Sequence, residues 1–304
     1  MSKDYYLENV QQFINMIGEL SDQYPSHITL DNPVVNKFLY RGHASDEFQL
    51  LPGVLRKKNI AHTKTADIEE NQYTKYVKEQ SILRRFIQEA QPYVSHIDHR
   101  DLVKWAILAQ HYGAPTRFLD WTSNPLVALF FSCYNYEEKD AVLWMCHTTN
   151  YSRYLKSHWF RPENDTRSNE EIATALIYNQ EDDGLPYLPI LLSPYYEDER
   201  MAMQSSRFMV WGRNENALET IVTDDYYMTL PSTTDTSITS EETDKQFFFR
   251  FRIRSEHKQG MIRQLELLGV SSKTVFPGLD GVGQFIERHY RYDYHEAVQS
   301  IVEP

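Results

Sequence analysis

Leu108-Ala109-Gln110-His111-Tyr112-Gly113-Ala114-Pro115-Thr116-Arg117-Phe118-Leu119-Asp120-Trp121-Thr122-Ser123-Asn124-Pro125-Leu126-Val127-Ala128-Leu129-Phe130-Phe131 holds the most structural information in the chain. It closes a helix that starts upstream. Leu102, Trp105, Ala106, Ala109 and Tyr112 fall on one helical stripe, Asp101 is placed to cap it, and Gly113 sits where a terminating glycine belongs. The residue before a proline avoids helical ψ, so Ala114-Pro115 forces the chain into an extended segment running to Trp121. Asn124-Pro125 then offers a cap and a first-turn proline to a second helix, apolar nearly all round through Leu126, Val127, Leu129, Phe130 and Cys133. Between these apolar elements stand Gln110, His111, Thr116, Arg117, Asp120 and Thr122. Polar groups in apolar surroundings cost free energy unless they are satisfied or used. The cluster therefore reads as a structural network, with Arg117 paired to Asp120, or as a site.

Working outward, residues 6–20 carry Leu7, Val10, Phe13, Ile14 and Ile17 at helical spacing. Asn36 to Arg41 reads as a short strand ending at Gly42, and residues 66–91 as a long helix closed by Pro92. Ala141 to His147 is a buried strand, 161–185 a polar loop or helix, and 231–245 a polar tip. Phe247 to Arg254 is a strand, His257 to Leu268 a helix stopped by Gly269, Lys273 to Phe276 a last strand, and Gly278 to Gly283 a turn. Strands and helices mix without regular alternation, which predicts an α+β fold with a small mixed or antiparallel β core wrapped by helices. One compact domain over 35–304 is expected, with polar loops inserted near 161–185 and 231–245 and a helical embellishment over 1–34.

Composition narrows the function. The chain has 304 residues and a formal net charge of −12, which argues against global, non-specific nucleic-acid binding through neutralised phosphates. The longest apolar run, Pro125 to Cys133, is far shorter than a membrane span, so no membrane partner is expected. Residues 1–10 hold Lys3, Asp4 and Glu8 and lack a signal-peptide core; with the lone thiols Cys133 and Cys146, this points to a reducing cytoplasm. His96 and His99 lack a third ligand and read as loop histidines, so no metal is expected. The familiar phosphate-loop, dinucleotide, zincin and serine-hydrolase motifs are missing.

Three further segments carry chemistry. Tyr40-Arg41-Gly42-His43 puts a permanent planar cation at a strand end beside a glycine, where a phosphate or a structural carboxylate can approach. Glu199-Arg200-Met201-Ala202-Met203-Gln204-Ser205-Ser206-Arg207-Phe208 places the amide of Gln204 between apolar neighbours. In Phe247 to Arg254, alternation lines up Arg250, Arg252 and Arg254 opposite Phe249, Phe251 and Ile253. That row is either the solvated side of a half-buried strand or a short track for nucleic-acid phosphates.

Taken together, these segments resemble the FRG domain, a bacterial and phage family named for its Phe/Tyr-Arg-Gly motif, here Tyr40-Arg41-Gly42. Leu108 to Phe131, Arg200 to Phe208 and Leu268 to Gly281 each resemble a family motif, and the resemblance runs from about residue 35 to 290. A more distant resemblance links the motif order to the ADP-ribosyltransferase fold and implies a β core of that type. On that resemblance Arg41, Asp120, Thr122 and Gln204 are the catalytic candidates, with Gln204 standing where those transferases carry a glutamate. Tyr40, Arg41, Gly42, His111, Arg117 and Trp121 would then bind NAD as substrate, and Arg250, Arg252 and Arg254 a nucleic-acid acceptor. The resemblance implies an NAD-dependent transferase modifying a macromolecule, RNA favoured, in a toxin–antitoxin or anti-phage defence setting with a neutralising antitoxin partner. An NAD glycohydrolase and a non-catalytic nucleotide- or phage-sensing module are the alternatives.

Overall fold

Strand pairing organises the molecule. The structure, a computed structural model, describes residues 5–24, 37–56, 72–94, 97–159, 165–178, 184–193, 199–222 and 246–302, with side chains of 72–78 and 292–302 set aside. Among the described residues the strands are β1 (Tyr5–Leu7), β2 (Phe38–His43), β3 (Phe118–Thr122), β4 (Ala141–His147), β5 (Ile190–Leu192), β6 (Ser206–Val210) and β7 (Phe248–Ile253). They form one sheet in the order β1-β7-β4-β2-β3-β6-β5. β1 runs parallel to β7 and every other neighbour is antiparallel, so the fold is α+β around a mixed sheet.

The first six α-helices are α1 (Val10–Gln23), α2 (Gln72–Ala90), α3 (Leu102–His111), α4 (Pro125–Cys133), α5 (Thr148–His158) and α6 (Asn169–Tyr178). After α7 (Glu199–Met203) and α8 (Leu218–Ile221) come α9 (Ser255–Leu267), α10 (Ser272–Val275) and α11 (Leu279–Val302). Asp101 caps α3 through Lys104 N–H, and Asn124 caps α4 through the N–H groups of Leu126 and Val127, with Pro125 opening the helix.

Residues directly opposite on paired strands share a face of the sheet. Tyr40 is paired with Thr122, so the side carrying Tyr40 also carries Thr122, Asp120 and Phe118. Two separate cores cover that side. One packs Phe13, Leu129, Phe130, Met261 and Leu265, from α1, α4 and α9, against Tyr40, Leu143, Phe249 and Phe251. The other packs Leu83, Trp105, Ala109, Ile172 and Leu176, from α2, α3 and α6, against Phe118, Ile190, Phe208 and Val210. The seam between them falls where β2 meets β3, and there the strands share a single register pair, against six for β2–β4 and five for β3–β6. The opposite side is one continuous core containing Leu39, Leu119, Trp121, Trp144, Tyr151 and Trp211.

Gly42 sets how closely α4 seats on β2. A Cβ there would lie 2.1 Å from Ala128 O and 2.6 Å from Ser132 N, so only a residue without a side chain lets the helix backbone cross the strand. At the far end of α4, the buried Lys258 ammonium of α9 donates to the carbonyls of Ala44, Asn135, Tyr136 and Lys139, satisfying groups past the helix end.

Several expectations change. Lys273–Phe276 is not a strand. Ser271 and Thr274 form a reciprocal capping box, and Ser272–Val275 is a helical turn despite its β-branched residues. The glycine-rich turn is confined to Gly278, at φ +83, and the helix starts at once with Leu279. Within 161–185, Asn169–Tyr178 is a helix whose Ile172, Ala173, Leu176 and Ile177 are buried, with Ser168 and Glu171 bonding reciprocally at its start. The sheet is also larger than the small core expected, because Tyr5–Leu7 and Ile190–Leu192 extend both edges. The 231–245 tip lies outside the described residues.

Substituting Gly42 by alanine is expected to cost about 3 kcal/mol in chemical denaturation, because the new methyl meets backbone rather than a movable side chain. Wild-type stability in that variant would show that α4 does not bear on β2 at this point.

Candidate functional site

At the seam the two strands part and leave a cleft of about 250 Å³. Its lining combines β2 (Tyr40, Arg41, Gly42), α3 (Ile107, Gln110, His111), β3 (Asp120, Trp121, Thr122), α4 (Ala128, Phe131) and the α7–β6 segment (Arg200, Met201, Gln204, Ser206, Phe208). The sequence thus brings residues from positions 40 to 208 to one opening.

Arg41 is the centre of the cleft. It shares a face of β2 with Leu39 and His43 and is half-buried. Its Nη1 donates to the backbone carbonyl of Asp120, and its Nε donates to His43 Nε2 at 3.0 Å. The first bond replaces sheet pairing: where β2 and β3 diverge, the Asp120 carbonyl faces no strand partner, and the guanidinium takes it. Burial lowers the Arg41 pKa to about 10, with Asp120 opposing the fall and Arg56 adding repulsion, so the group remains a cation at neutral pH. Burial together with Arg41 and Arg56 likewise holds His43 well below the usual imidazole range, so its ring is neutral.

Asp120 is the sole carboxylate among the described lining residues. Gln110 Nε2 donates to its Oδ1 at 2.6 Å, and Thr116 Oγ1 donates to Gln110 Oε1, so a chain of side chains from the α3–β3 connection orients the carboxylate. Arg200 adds a second cation on the other wall, where it stacks 5.5 Å from the Phe276 ring. Gln204 is fixed from behind: its Nε2 donates to Val275 O at 3.1 Å, and the next residue, Ser205, is held at φ +49. Ile107, Phe131, Met201 and Phe208 make the remaining wall apolar.

The other candidates are placed as follows. Tyr40 borders the cleft but is packed in the core against Phe13, and burial pushes its phenol pKa up. His111 lies on the rim with its ring 5.0 Å from Tyr112. Thr122 is used structurally, its hydroxyl donating to Gln204 O at 2.5 Å and accepting from Asn124 N–H at 3.0 Å.

Trp121 is not an open stacking wall. Strand alternation turns its indole to the opposite face, where it is 2% exposed and packs near Phe248. Arg117 is not in the cleft and does not pair with Asp120. It forms a buried bidentate ion pair with Glu79 of α2, 2.8 Å from Nη2 to Oε2, and donates to Trp211 O. The row on β7 keeps its alternation, but Arg250 lies 5.8 Å over Trp144, Arg252 pairs with Asp46 at 3.2 Å, and Arg254 lies over Tyr6 beyond the strand end. These three stand apart from the cleft.

Arg200 is a cation of the cleft that the sequence reading quoted in a motif but left without a role. It opens the Arg200-Met201-Ala202-Met203-Gln204 segment, and an arginine four residues before Gln204 in a helical turn was the available signal.

With this geometry in hand, the comparison with known proteins gives one match. Residues 36–141 match the profile of the FRG domain, so this stretch of the chain is an FRG domain. The matched stretch contains Arg41, His111 and Asp120, whereas Arg200 and Gln204 lie outside it. Comparisons with curated proteins and with solved structures gave no match.

The neutrality of His43 has a pH signature. Its pKa is lower in the folded than in the unfolded chain, so stability from this group is present above about pH 6.5 and is lost as pH falls below it. The stability difference between wild type and His43→Gln should therefore shrink by about 1.4 kcal/mol per pH unit below about pH 6. A difference independent of pH would mean that His43 takes up its proton without penalty in the folded state.

Proposed function

We propose that the cleft binds NAD and that the protein transfers ADP-ribose from it to a macromolecule. The observation that carries this reading is the meeting of an anchored guanidinium, one oriented carboxylate and an apolar wall in a single opening. A diphosphate suits Arg41, whose Nη2 has no partner among the described residues, with Arg200 as a second cation. Nicotinamide suits the apolar wall of Ile107, Phe131, Met201 and Phe208. At about 250 Å³ the cleft is smaller than the roughly 300–1,000 Å³ that encloses a drug-sized ligand, so it takes one half of a dinucleotide and leaves the other outside.

The chemistry follows from those placements. The bond from ribose C1′ to the nicotinamide nitrogen breaks, its electron pair leaves with neutral nicotinamide, and positive charge develops on the sugar. The Asp120 carboxylate supplies the countercharge, and the side-chain Oε1 of Gln204 accepts a hydrogen bond from a ribose hydroxyl. An acceptor oxygen or nitrogen then attacks C1′ and releases its proton. Arg250 and Arg252 are engaged with Trp144 and Asp46, which weakens the case for a ready RNA track on β7 and leaves the acceptor class to experiment.

The test is incubation of the protein with adenine-labelled NAD and cell extract, followed by nuclease or protease digestion of the labelled product. Label on a macromolecule is expected, together with at least about a hundredfold loss of turnover in Arg41→Gln. Asp120→Asn is expected to slow turnover about tenfold or more while NAD affinity stays within about threefold. Release of free ADP-ribose alone would make the protein a hydrolase. No NAD loss, or loss indifferent to Arg41→Gln, would overturn the reading.

A further inference from the structure

His43 belongs to the motif segment, yet it is not among the residues lining the cleft. It is 3% exposed and shares a strand face with Arg41 two residues before it. The Nε–H of arginine can only donate, so the 3.0 Å bond requires a lone pair on His43 Nε2 and places the ring proton on Nδ1. That occupies the nitrogen nearest the cation. His43 is thereby excluded from proton transfer in the cleft, and its contribution goes through Arg41.

Register shows why this contribution matters. Across the sheet Arg250 pairs with Trp144, Trp144 with Arg41, and Trp121 with Arg207, while Tyr40–Thr122 is the last pair between β2 and β3. Arg41 therefore stands at the edge of an intact β2–β4 ladder and faces a gap on its other side. A long side chain at such an edge has several rotamers open to it. Two bonds remove that freedom: His43 Nε2 holds Nε from its own strand, and the Asp120 carbonyl holds Nη1 from across the gap. The Nη2 group is left as the donor available to a ligand.

We infer that His43 is a positioning residue that, as a neutral acceptor, locks the Arg41 guanidinium with its Nη2 edge turned to an anionic group, so the site is preorganised for a diphosphate. The inference rests on the nucleotide reading for its ligand, but the lock itself can be measured without one. The variants are His43→Leu, which removes the acceptor, and His43→Gln, whose amide oxygen reaches the place of Nε2. Thermal melts establish that each is folded.

Nitrogen-15 NMR of protein labelled at arginine and histidine reads the lock directly. In wild type His43 should appear as the neutral Nδ1–H tautomer and Arg41 Nε–H as a slowly exchanging proton. That protection should be lost in His43→Leu and largely kept in His43→Gln. Titration with inorganic pyrophosphate should show affinity weakened about tenfold or more in His43→Leu and restored to within about threefold in His43→Gln. A protected Arg41 Nε–H in His43→Leu, or a doubly protonated His43 at neutral pH, would overturn the inference. Failure of wild type to bind pyrophosphate, with the NMR signature intact, would count against the diphosphate and the nucleotide reading while leaving the lock in place.

Discussion

A cation stands where two strands stop pairing. β2 and β3 are neighbours in the sheet yet share only the Tyr40–Thr122 pair, and beyond it the Asp120 carbonyl would be an orphaned backbone acceptor. The Arg41 guanidinium takes that carbonyl and so closes the sheet with a side chain where the ladder has run out. The two cores on this side stay separate because the sheet opens here, and the opening is the cleft. Arginine suits the position better than lysine. Its planar fork can hold a carbonyl, an imidazole nitrogen and a ligand at once, whereas an ammonium is a compact point charge on a flexible stem.

The surroundings sharpen the effect of that charge. The chain carries a net −12, so an opening with Arg41 and Arg200 against one carboxylate is a local reversal of the overall field. Such a reversal attracts small anions to one place on an otherwise repelling surface. Gly42, one residue on, brings the backbone of α4 against β2 and thereby carries Ala128 and Phe131 to the wall. The Tyr40-Arg41-Gly42 motif thus reads physically as a core aromatic, a seam cation and a helix seat in consecutive positions. A buried bidentate ion pair, Arg117 with Glu79, holds α2 behind β3 on the other side of the seam.

What the sequence made legible was local. Asp101, Gly113, Asn124 and Pro125 announce the ends of α3 and α4 because capping is decided within four residues. The alternation of Phe249, Arg250, Phe251 and Arg252 announces a strand for the same reason. The partners were not legible. Glu79 lies 38 residues from Arg117, and nothing near either residue says that they meet. Asp46 lies 206 residues from Arg252, so a row that reads as available cations in sequence is engaged in space. Helix α10 was missed because Thr274 and Val275 favour strands, and the capping box that overrides them uses threonine where glutamate or glutamine is usual. Helix α5 was missed because it follows β4 without a loop, with His147 as its cap. Within the site, Arg41, Asp120 and Gln204 were legible as candidates, and the place of Arg200 in the same cleft became visible only once α7 was set against the seam.

Titration calorimetry with ADP-ribose, on wild type and on Arg41→Gln at low ionic strength, tests the central claim most directly. The account predicts saturable binding to the wild type and at least about a hundredfold weaker binding to the variant, with the variant's fold intact by circular dichroism. Equal affinity in the two proteins would contradict it, because the cation in the seam would then have no part in holding the ligand.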